Sequence, residues 1–262
     1  MDTAATTEAK PKKCIRLVTR ADDAGSSQSA NRAILETFEK GIARNVSVIA
    51  CGPQLEHAAE LFRNVKGLCV GLHVTLNCEW ESPRWGPVLP RERVPSLIEH
   101  DGTLTRHPQN LHDRHANVNE MVAEVYAQLQ RLREAGLLVR YIDEHMGVGW
   151  VCNLWQKLAD LARDEGLVDG VRRVKDLPPA AQPQADIVAD LLARLDAAPS
   201  GTYTYFAHPT YDDDEMRAFH GMGQPAGFYG PDRDAQRRVF LDERVLSYCE
   251  ENNVKLIRYL DI

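Results

Sequence analysis

Residues 15–34, "IRLVTRADDAGSSQSANRAI", place a short apolar, β-branched run directly before a polar loop and a helix-forming segment. The run indicates a buried strand, and serine followed by apolar residues at helical spacing indicates a capped helix that stops at Gly41. Asp22 and Asp23 interrupt this pattern, because neighbouring side chains on an extended strand point to opposite faces and a buried strand rarely carries carboxylates. The pair therefore indicates a functional position, one step past the buried part of the strand.

The alternation of strands and helices continues along the 262 residues. Further strands are predicted over residues 45–50, 68–77, 139–146, 201–209 and 254–262, and a short strand is predicted near residues 170–174. Strand–helix alternation with short connections predicts a parallel sheet covered by helices. Roughly seven such units favour a TIM-like (β/α) barrel, closed or nearly closed, with seven or eight irregular strands, over an open doubly wound sheet. Residues 1–13 are polar and are predicted to form a disordered leader, with residues 14–262 as one barrel domain.

Composition limits the classes of protein to consider. The net charge of -7 argues against a general nucleic-acid binder or a protein of anionic membranes. No apolar run approaches the roughly 18 residues of a membrane-spanning helix. The six cysteines are scattered without a C-x-x-C pair, which favours free thiols and a cytoplasmic location. The sequence leaves the oligomeric state open, with a homodimer among the alternatives.

Four predicted strands end on side chains that can bind a metal or move a proton. In a (β/α) barrel such residues converge on one face, although a single strand-end histidine is more often structural. The residues lie in "TRADDAG", "GLHVTLN", "YIDEHMG" and "FAHPTY", and they are Asp22, Asp23, His73, Asp143, His145 and His208.

The residue types indicate hydrolysis of an amide or an ester. Two imidazoles and a carboxylate form a common ligand set for one catalytic divalent ion, which polarises a carbonyl and lowers the pKa of water. A second carboxylate could accept the proton of that water, and another histidine could protonate the leaving group. The softness of the ligands suits Zn²⁺, Mn²⁺ or Co²⁺.

The four motifs resemble, in order and separation, those of the YdjC/ChbG-type carbohydrate deacetylases, and the resemblance runs from about Ile15 to the closing "IRYLDI". It implies a TIM-like barrel, a small-molecule carbohydrate substrate, and removal of acetyl groups from N-acetylated sugars. It also implies a divalent metal, Mg²⁺ or Zn²⁺, held by Asp23, His73 and His145. Asp22 would be the catalytic base by analogy with NodB-type deacetylases, and an exchange of roles between the two aspartates stays open. His208 would be a general acid or a substrate ligand.

Other positions carry secondary expectations or depart from the family pattern. Asp143 could orient His145 or another residue of the site, and it is grouped with the residues expected to contact the substrate. Trp80 and Trp85 in "NCEWESPRW" could stack on sugar faces or could simply pack the loop. Arg20 stands where family members often have asparagine, which leaves specificity for chitin fragments open. Two rival functions remain: hydrolysis of another amide or ester on the same scaffold, and sugar binding without turnover.

Overall fold

A parallel sheet forms the centre of the protein, which we describe from a computed structural model covering residues 13–262. The strands are β1 (Ile15–Ala24), β2 (Asn45–Val48), β3 (Cys69–Val74), β4 (Trp80–Ser82), β5 (Val139–Glu144), β6 (Val168–Asp169), β7 (Lys175–Asp176), β8 (Gly201–Ala207), β9 (His220–Gly221) and β10 (Val254–Ile257). All pair in parallel except β4 and β9, which form a separate antiparallel ribbon between two long loops.

Helices connect and cover the strands. They are α1 (Gln28–Lys40), α2 (Leu55–Phe62), α3 (Pro108–Asp113), α4 (Val118–Glu134), α5 (Leu154–Asp164), α6 (Gly170–Arg173), α7 (Ile187–Ala197), α8 (Asp214–Arg217), α9 (Tyr229–Leu241) and α10 (Glu243–Glu251). A 3-10 segment, His145–Asn153, follows β5. None of the helices in residues 13–262 is both long and apolar enough to cross a membrane.

The first helix has the ends that the sequence predicts. Ser27 is its N-cap, and the Ser27 hydroxyl accepts a hydrogen bond from the backbone N–H of Ala30 at 2.9 Å. Gly41 follows its last residue, at a point where a Cβ would lie 2.2 Å from the carbonyl oxygen of Phe240. Glycine is therefore required by close contact between α1 and the end of α9.

The order of strands along the sheet is β6-β5-β3-β2-β1-β8-β7. Strand β10 pairs with the first half of β1, where Ile15 lies opposite Val254, and β2 pairs with the second half. Asn45 joins these strands, since its side-chain amide donates to the carbonyl oxygens of Thr19 and Ile257. The first and last strands of the described chain thus belong to one sheet.

The sheet is curled into a half-barrel. Asp169 ends β6 at one edge, and Lys175 begins β7 at the other. Six residues span at most about 20 Å, whereas seven strands laid flat would separate the edges by roughly 29 Å. The edges must therefore curve towards each other, with α6 between them. Within residues 13–262, β6 and β7 do not pair with each other, so the barrel is open rather than closed.

Two sequence predictions need correction or restriction. The short strand predicted near residues 170–174 is found as two strands, β6 and β7, on either side of the short helix α6; the carboxylate of Asp169 caps this helix by accepting from the backbone N–H of Arg172 at 3.2 Å. The leader predicted for residues 1–13 lies outside the described residues except for Lys13. The ammonium group of Lys13 donates to the carbonyl oxygens of Leu195 and Asp196 at 2.5 and 2.8 Å.

Candidate active site

The strand-end residues meet at one face of the half-barrel. Asp22 and Asp23 lie in the last three residues of β1, and His73 is the penultimate residue of β3. His145 follows β5 directly, and His208 follows β8 directly. All five line a cleft of about 930 Å³. The convergence arises because the carboxyl ends of parallel strands share one edge of a sheet.

A β-bulge brings both aspartates to the same cleft. Ala21 lies opposite Val46 and Ala24 opposite Val48, so Asp22 and Asp23 together face a single residue of β2. Asp23 also has a φ angle of 68°, in the left-handed region that non-glycine residues seldom adopt. The opposite orientations expected of neighbouring strand residues are therefore lost. Asp22 and Asp23 each place a carboxylate oxygen within 4.8 Å of a nitrogen of His73.

Asp23, His73 and His145 form a buried cluster of possible ligand atoms. The Asp23 Oδ1 atom lies 3.4 Å from His73 Nε2 and 3.3 Å from His145 Nδ1. These contacts are too long or misdirected for good hydrogen bonds, and Oδ1 is buried without a hydrogen-bond partner among the described residues. An unpartnered carboxylate oxygen facing two imidazole nitrogens is the arrangement that a cation would satisfy.

Each histidine is held from behind by a carboxylate. His73 Nδ1 lies 2.9 Å from Asp143 Oδ1, and His145 Nε2 lies 2.9 Å from Glu79 Oε2. This leaves His73 Nε2 and His145 Nδ1 as the nitrogens that face Asp23. Carboxylates behind metal-binding histidines fix the ring orientation and the tautomer, and they make the free nitrogen a stronger ligand.

Asp143 acts within the protein interior rather than on the cleft surface. It is fully buried, and besides His73 it accepts from the Ser47 hydroxyl at 2.8 Å and lies 2.8 Å from Arg20 Nε. Asp143 is absent from the cleft lining, and it contacts His73 instead of His145. Of the two residues that it was expected to orient, His145 or another residue of the site, the contact with His73 agrees with the second, while its absence from the cleft lining differs from the expected substrate contact.

Arg20 connects the two parts of this network. Its guanidinium donates to both carboxylate oxygens of Asp22, at 2.6 and 2.8 Å, and to the Tyr259 hydroxyl at 3.2 Å. Although burial opposes its charge, the carboxylates of Asp143 and Asp22 hold the pKa of Arg20 well above its usual value. Arg20 therefore fixes the orientation of Asp22, and both oxygens of that carboxylate are already engaged, unlike Oδ1 of Asp23.

The cluster carries excess negative charge when the imidazoles are neutral. Of its four carboxylates, those of Asp22 and Asp143 pair with the guanidinium of Arg20, whereas those of Asp23 and Glu79 contact the imidazoles. Although burial opposes the charged form, Asp143 and Asp23 raise the pKa of His73 to about 9. Burial has the same opposing effect at His145, yet Glu79 and Asp23 raise its pKa well above the usual value. The cluster thus attracts positive charge, and a divalent cation would fit the donor set.

His208 lies across the cleft in a different electrostatic setting. The side-chain oxygen of Gln236 accepts from the backbone N–H of His208 at 2.9 Å and lies 3.1 Å from Nδ1. Since an amide oxygen can only accept, Nδ1 carries the proton and Nε2 is left as the acceptor. Burial and the nearby Arg233 lower the pKa of His208, which favours the neutral imidazole.

The side chains of Trp80 and Trp85 are buried and packed against other residues of the protein. Each is only 4% exposed, and neither lines the cleft. Trp80 makes edge-to-face contacts with Phe219 and Tyr229, while the indole N–H of Trp85 donates to the carbonyl oxygen of Asn77 at 3.2 Å. Their burial leaves no open indole face for a sugar. Of the two alternatives, stacking on a sugar and packing of the loop, their position agrees with packing of the loop.

Sequence reasoning did not select Glu79 or assign a role to Arg20. Glu79 lies in a loop six residues beyond His73, immediately before β4, and nothing in strand periodicity distinguishes it from Glu81. A signal for Arg20 was present, because a charged residue two positions before Asp22 in a buried strand needs a buried partner. The partner is Asp22 itself, together with Asp143.

The fold and the site define an α/β half-barrel protein with an Asp/His/His cluster at the carboxyl ends of its strands. The chain belongs to the YdjC-like protein family, whose model matches residues 16–251. A carbohydrate deacetylase of Geobacillus stearothermophilus is 28% identical over 95% of this chain and 97% of its own length. One of Thermoanaerobacter pseudethanolicus is 23% identical over 93% and 97%.

A solved structure supports the fold independently. The Enterococcus faecalis V583 protein, named as a candidate cellobiose-phosphate cleavage protein, superposes with a TM-score of 0.78 at 22% sequence identity. The alignment covers 95% of this chain and 98% of that one. At this identity the likeness establishes the shared half-barrel architecture.

Proposed function

We propose that this protein is a divalent-metal-dependent hydrolase that removes acetyl groups from N-acetylated sugars or oligosaccharides. One observation carries the proposal: a buried oxygen of Asp23, without a hydrogen-bond partner in the described part of the chain, faces two imidazole nitrogens whose rings are oriented by Asp143 and Glu79. The family relatives named carbohydrate deacetylases support the choice of reaction and of substrate.

Asp23, His73 and His145 would hold the metal ion, through Oδ1, Nε2 and Nδ1 respectively. A divalent ion bound there supplies Lewis-acid polarisation of a carbonyl and lowers the pKa of water. Asp23 is the better candidate for ligand, because Asp22 already has both oxygens bound to Arg20. The donor set of two nitrogens and one oxygen is compatible with Zn²⁺, and Mg²⁺ remains the alternative.

Asp22 is our candidate for the general base. It lines the cleft, has a carboxylate oxygen within 4.8 Å of a nitrogen of His73, and is kept in one orientation by the two bonds from Arg20. In this role it takes a proton from the attacking water and returns a proton to the amine that leaves. A positioned carboxylate typically contributes a rate factor of about 10² to 10⁴ in such transfers.

His208 is better suited to bind substrate than to begin as an acid. Its lowered pKa favours the neutral ring, and Nδ1–H is occupied by Gln236. Its Nε2 can therefore accept a hydrogen bond from a sugar hydroxyl or from the acetamide N–H. Of the two roles that the family resemblance implies, the structure favours the substrate ligand.

An acetate-release screen tests the proposal. The purified protein, analysed for bound metals, is given a panel of N-acetylated glycans and a panel of other amides and esters. We expect acetate from the glycans, loss of activity on chelation, and recovery with Zn²⁺ or Mg²⁺. His73→Ala and His145→Ala should abolish both metal binding and turnover, because each removes one of three ligands.

His100→Ala is the matched control, since His100 is an exposed histidine outside the cleft. It should retain metal and activity. Full activity in His73→Ala or His145→Ala would refute the metal assignment. Turnover of esters but not glycans would favour the rival hydrolase, and saturable sugar binding with no product would favour the non-catalytic protein.

A further inference from the structure

One aromatic side chain in the cleft has no role in the chemistry described above. Phe206 is the sixth residue of β8 and pairs in register with Arg20 of β1. It is 44% exposed although it lies inside the curled sheet, whereas its neighbour Ala207 is buried. Among the described residues, four aromatic rings of this kind are substantially exposed, and Phe206 is the one that lines the cleft.

The position of the ring is set by the site itself. The guanidinium carbon of Arg20 lies 4.9 Å from the centroid of the Phe206 ring, in a cation–π contact on one face. The ring of His208 packs against Phe206 edge-to-face, with centroids 6.0 Å apart. Because Arg20 is itself bound to Asp22, the orientation of the ring is linked to that of the candidate base.

This arrangement leaves part of the Phe206 side chain exposed to the cleft within residues 13–262. A pyranose whose hydroxyl groups are equatorial presents C–H bonds on its ring faces, and these are apolar. The negative face of an aromatic ring attracts such C–H groups, and stacking also removes apolar surface from water. A flat aromatic ring beside hydrogen-bonding groups is therefore a suitable surface for a sugar.

We propose that Phe206 is the stacking platform for a pyranose ring of the substrate. The inference rests on the proposed function for the identity of the ligand. The stacked sugar lies next to Nε2 of His208, which can accept from one of its polar groups. Phe206 is thus a specificity-determining residue, in the role that the sequence suggested for Trp80 and Trp85.

The experiment measures sugar binding separately from hydrolysis. The metal-loaded protein is titrated calorimetrically with a β-linked glucosamine trisaccharide, which has no acetyl group to lose. We expect Phe206→Ala to weaken binding by about tenfold, Phe206→Leu to weaken it nearly as much, and Phe206→Trp to retain it. With acetylated substrate, Phe206→Ala should raise KM by a similar factor and change kcat by less than about threefold.

Phe228→Ala is the matched control, because Phe228 is 51% exposed and does not line the cleft. It should bind the trisaccharide like the wild type. Unchanged binding in Phe206→Ala, full affinity in Phe206→Leu, or an equal loss in Phe228→Ala would overturn the inference, as would a wild type that binds no saccharide. Phe206-dependent binding without acetate release would support the platform while refuting the proposed hydrolysis. Acetate release with a KM that Phe206→Ala does not change would support the proposed hydrolysis and refute the stacking role of Phe206.

Discussion

Replacing Glu79 by glutamine tests whether the carboxylates behind the histidines tune the metal site. Glu79 is buried and makes one polar contact among the described residues, to His145 Nε2 at 2.9 Å. Glutamine keeps the size and can still accept from that nitrogen, so Glu79→Gln removes chiefly the charge. The variant should fold normally.

The magnitude follows from the distance. Unit charges 2.9 Å apart interact by about 1.4 kcal/mol at the dielectric constant of water and by about 6 kcal/mol at an effective value of about 20. Even the smaller figure makes protonation of His145 about tenfold less favourable in the variant. In the metal-free wild type, the raised pKa values of His73 and His145 favour the protonated imidazoles. Metal ligation requires neutral imidazoles, so metal binding should release protons from these rings.

The assay is calorimetric titration of metal into chelated protein at pH 7, in buffers of different ionisation enthalpy. We expect Glu79→Gln to release fewer protons than the wild type, by up to one, and to lose about tenfold in metal affinity measured where His145 is neutral. Glu81→Gln is the control, since the Glu81 side chain is 52% exposed and pairs with Arg106 at the surface. Equal proton release from wild type and Glu79→Gln, or no release from either, would refute this account of the site.

Two further predictions concern stability. Because the pKa of His73 rises from an unfolded value of about 6.5 to about 9 on folding, its contribution to the free energy of unfolding is fully present below pH 6.5 and lost as pH rises through 9. The metal-free protein should therefore lose on the order of 3 kcal/mol over this range in urea unfolding, while the metal-loaded protein should not; a flat profile without metal would contradict the raised pKa. Trp80→Ala should lower the free energy of unfolding by about 3–5 kcal/mol, because it leaves a cavity between Phe219 and Tyr229. The variant should bind the glucosamine trisaccharide about as tightly as the wild type. Unchanged stability together with weakened trisaccharide binding would instead indicate that Trp80 stacks on the sugar.

Local patterns predicted much of the fold because they depend on neighbouring residues. The alternation of apolar strands and amphipathic helices indicated a parallel α/β sheet, which the structure and the Enterococcus relative confirm. The serine cap and the stop at Gly41 were also predicted correctly. The short strand predicted near residues 170–174 was misplaced by a few residues, because β6 and β7 flank this stretch and the capping aspartate, Asp169, starts a helix within it.

The open barrel could not be predicted from strand count. Closure depends on whether the last edge strands meet, and here β6 and β7 are only two residues long each. Their shortness leaves little backbone to pair across the opening, and α6 occupies the connection. Local periodicity carries no information about such long-range pairing.

The sequence by itself determined that Asp22, Asp23, His73, His145 and His208 reach one cleft, because strand ends in a parallel sheet share one edge whatever the details of packing. The same argument also included Asp143, which lies behind His73 and does not line the cleft.

Only the tertiary structure decided which contacts each of these residues makes. The bulge at Asp22 and Asp23 turns both carboxylates towards His73, and Arg20 then engages the first and leaves an oxygen of the second unpartnered. Glu79 reaches His145 from a loop 66 residues earlier in the chain. Such contacts depend on register, side-chain direction and the curl of the sheet. These are properties of the whole fold, and local sequence does not encode them.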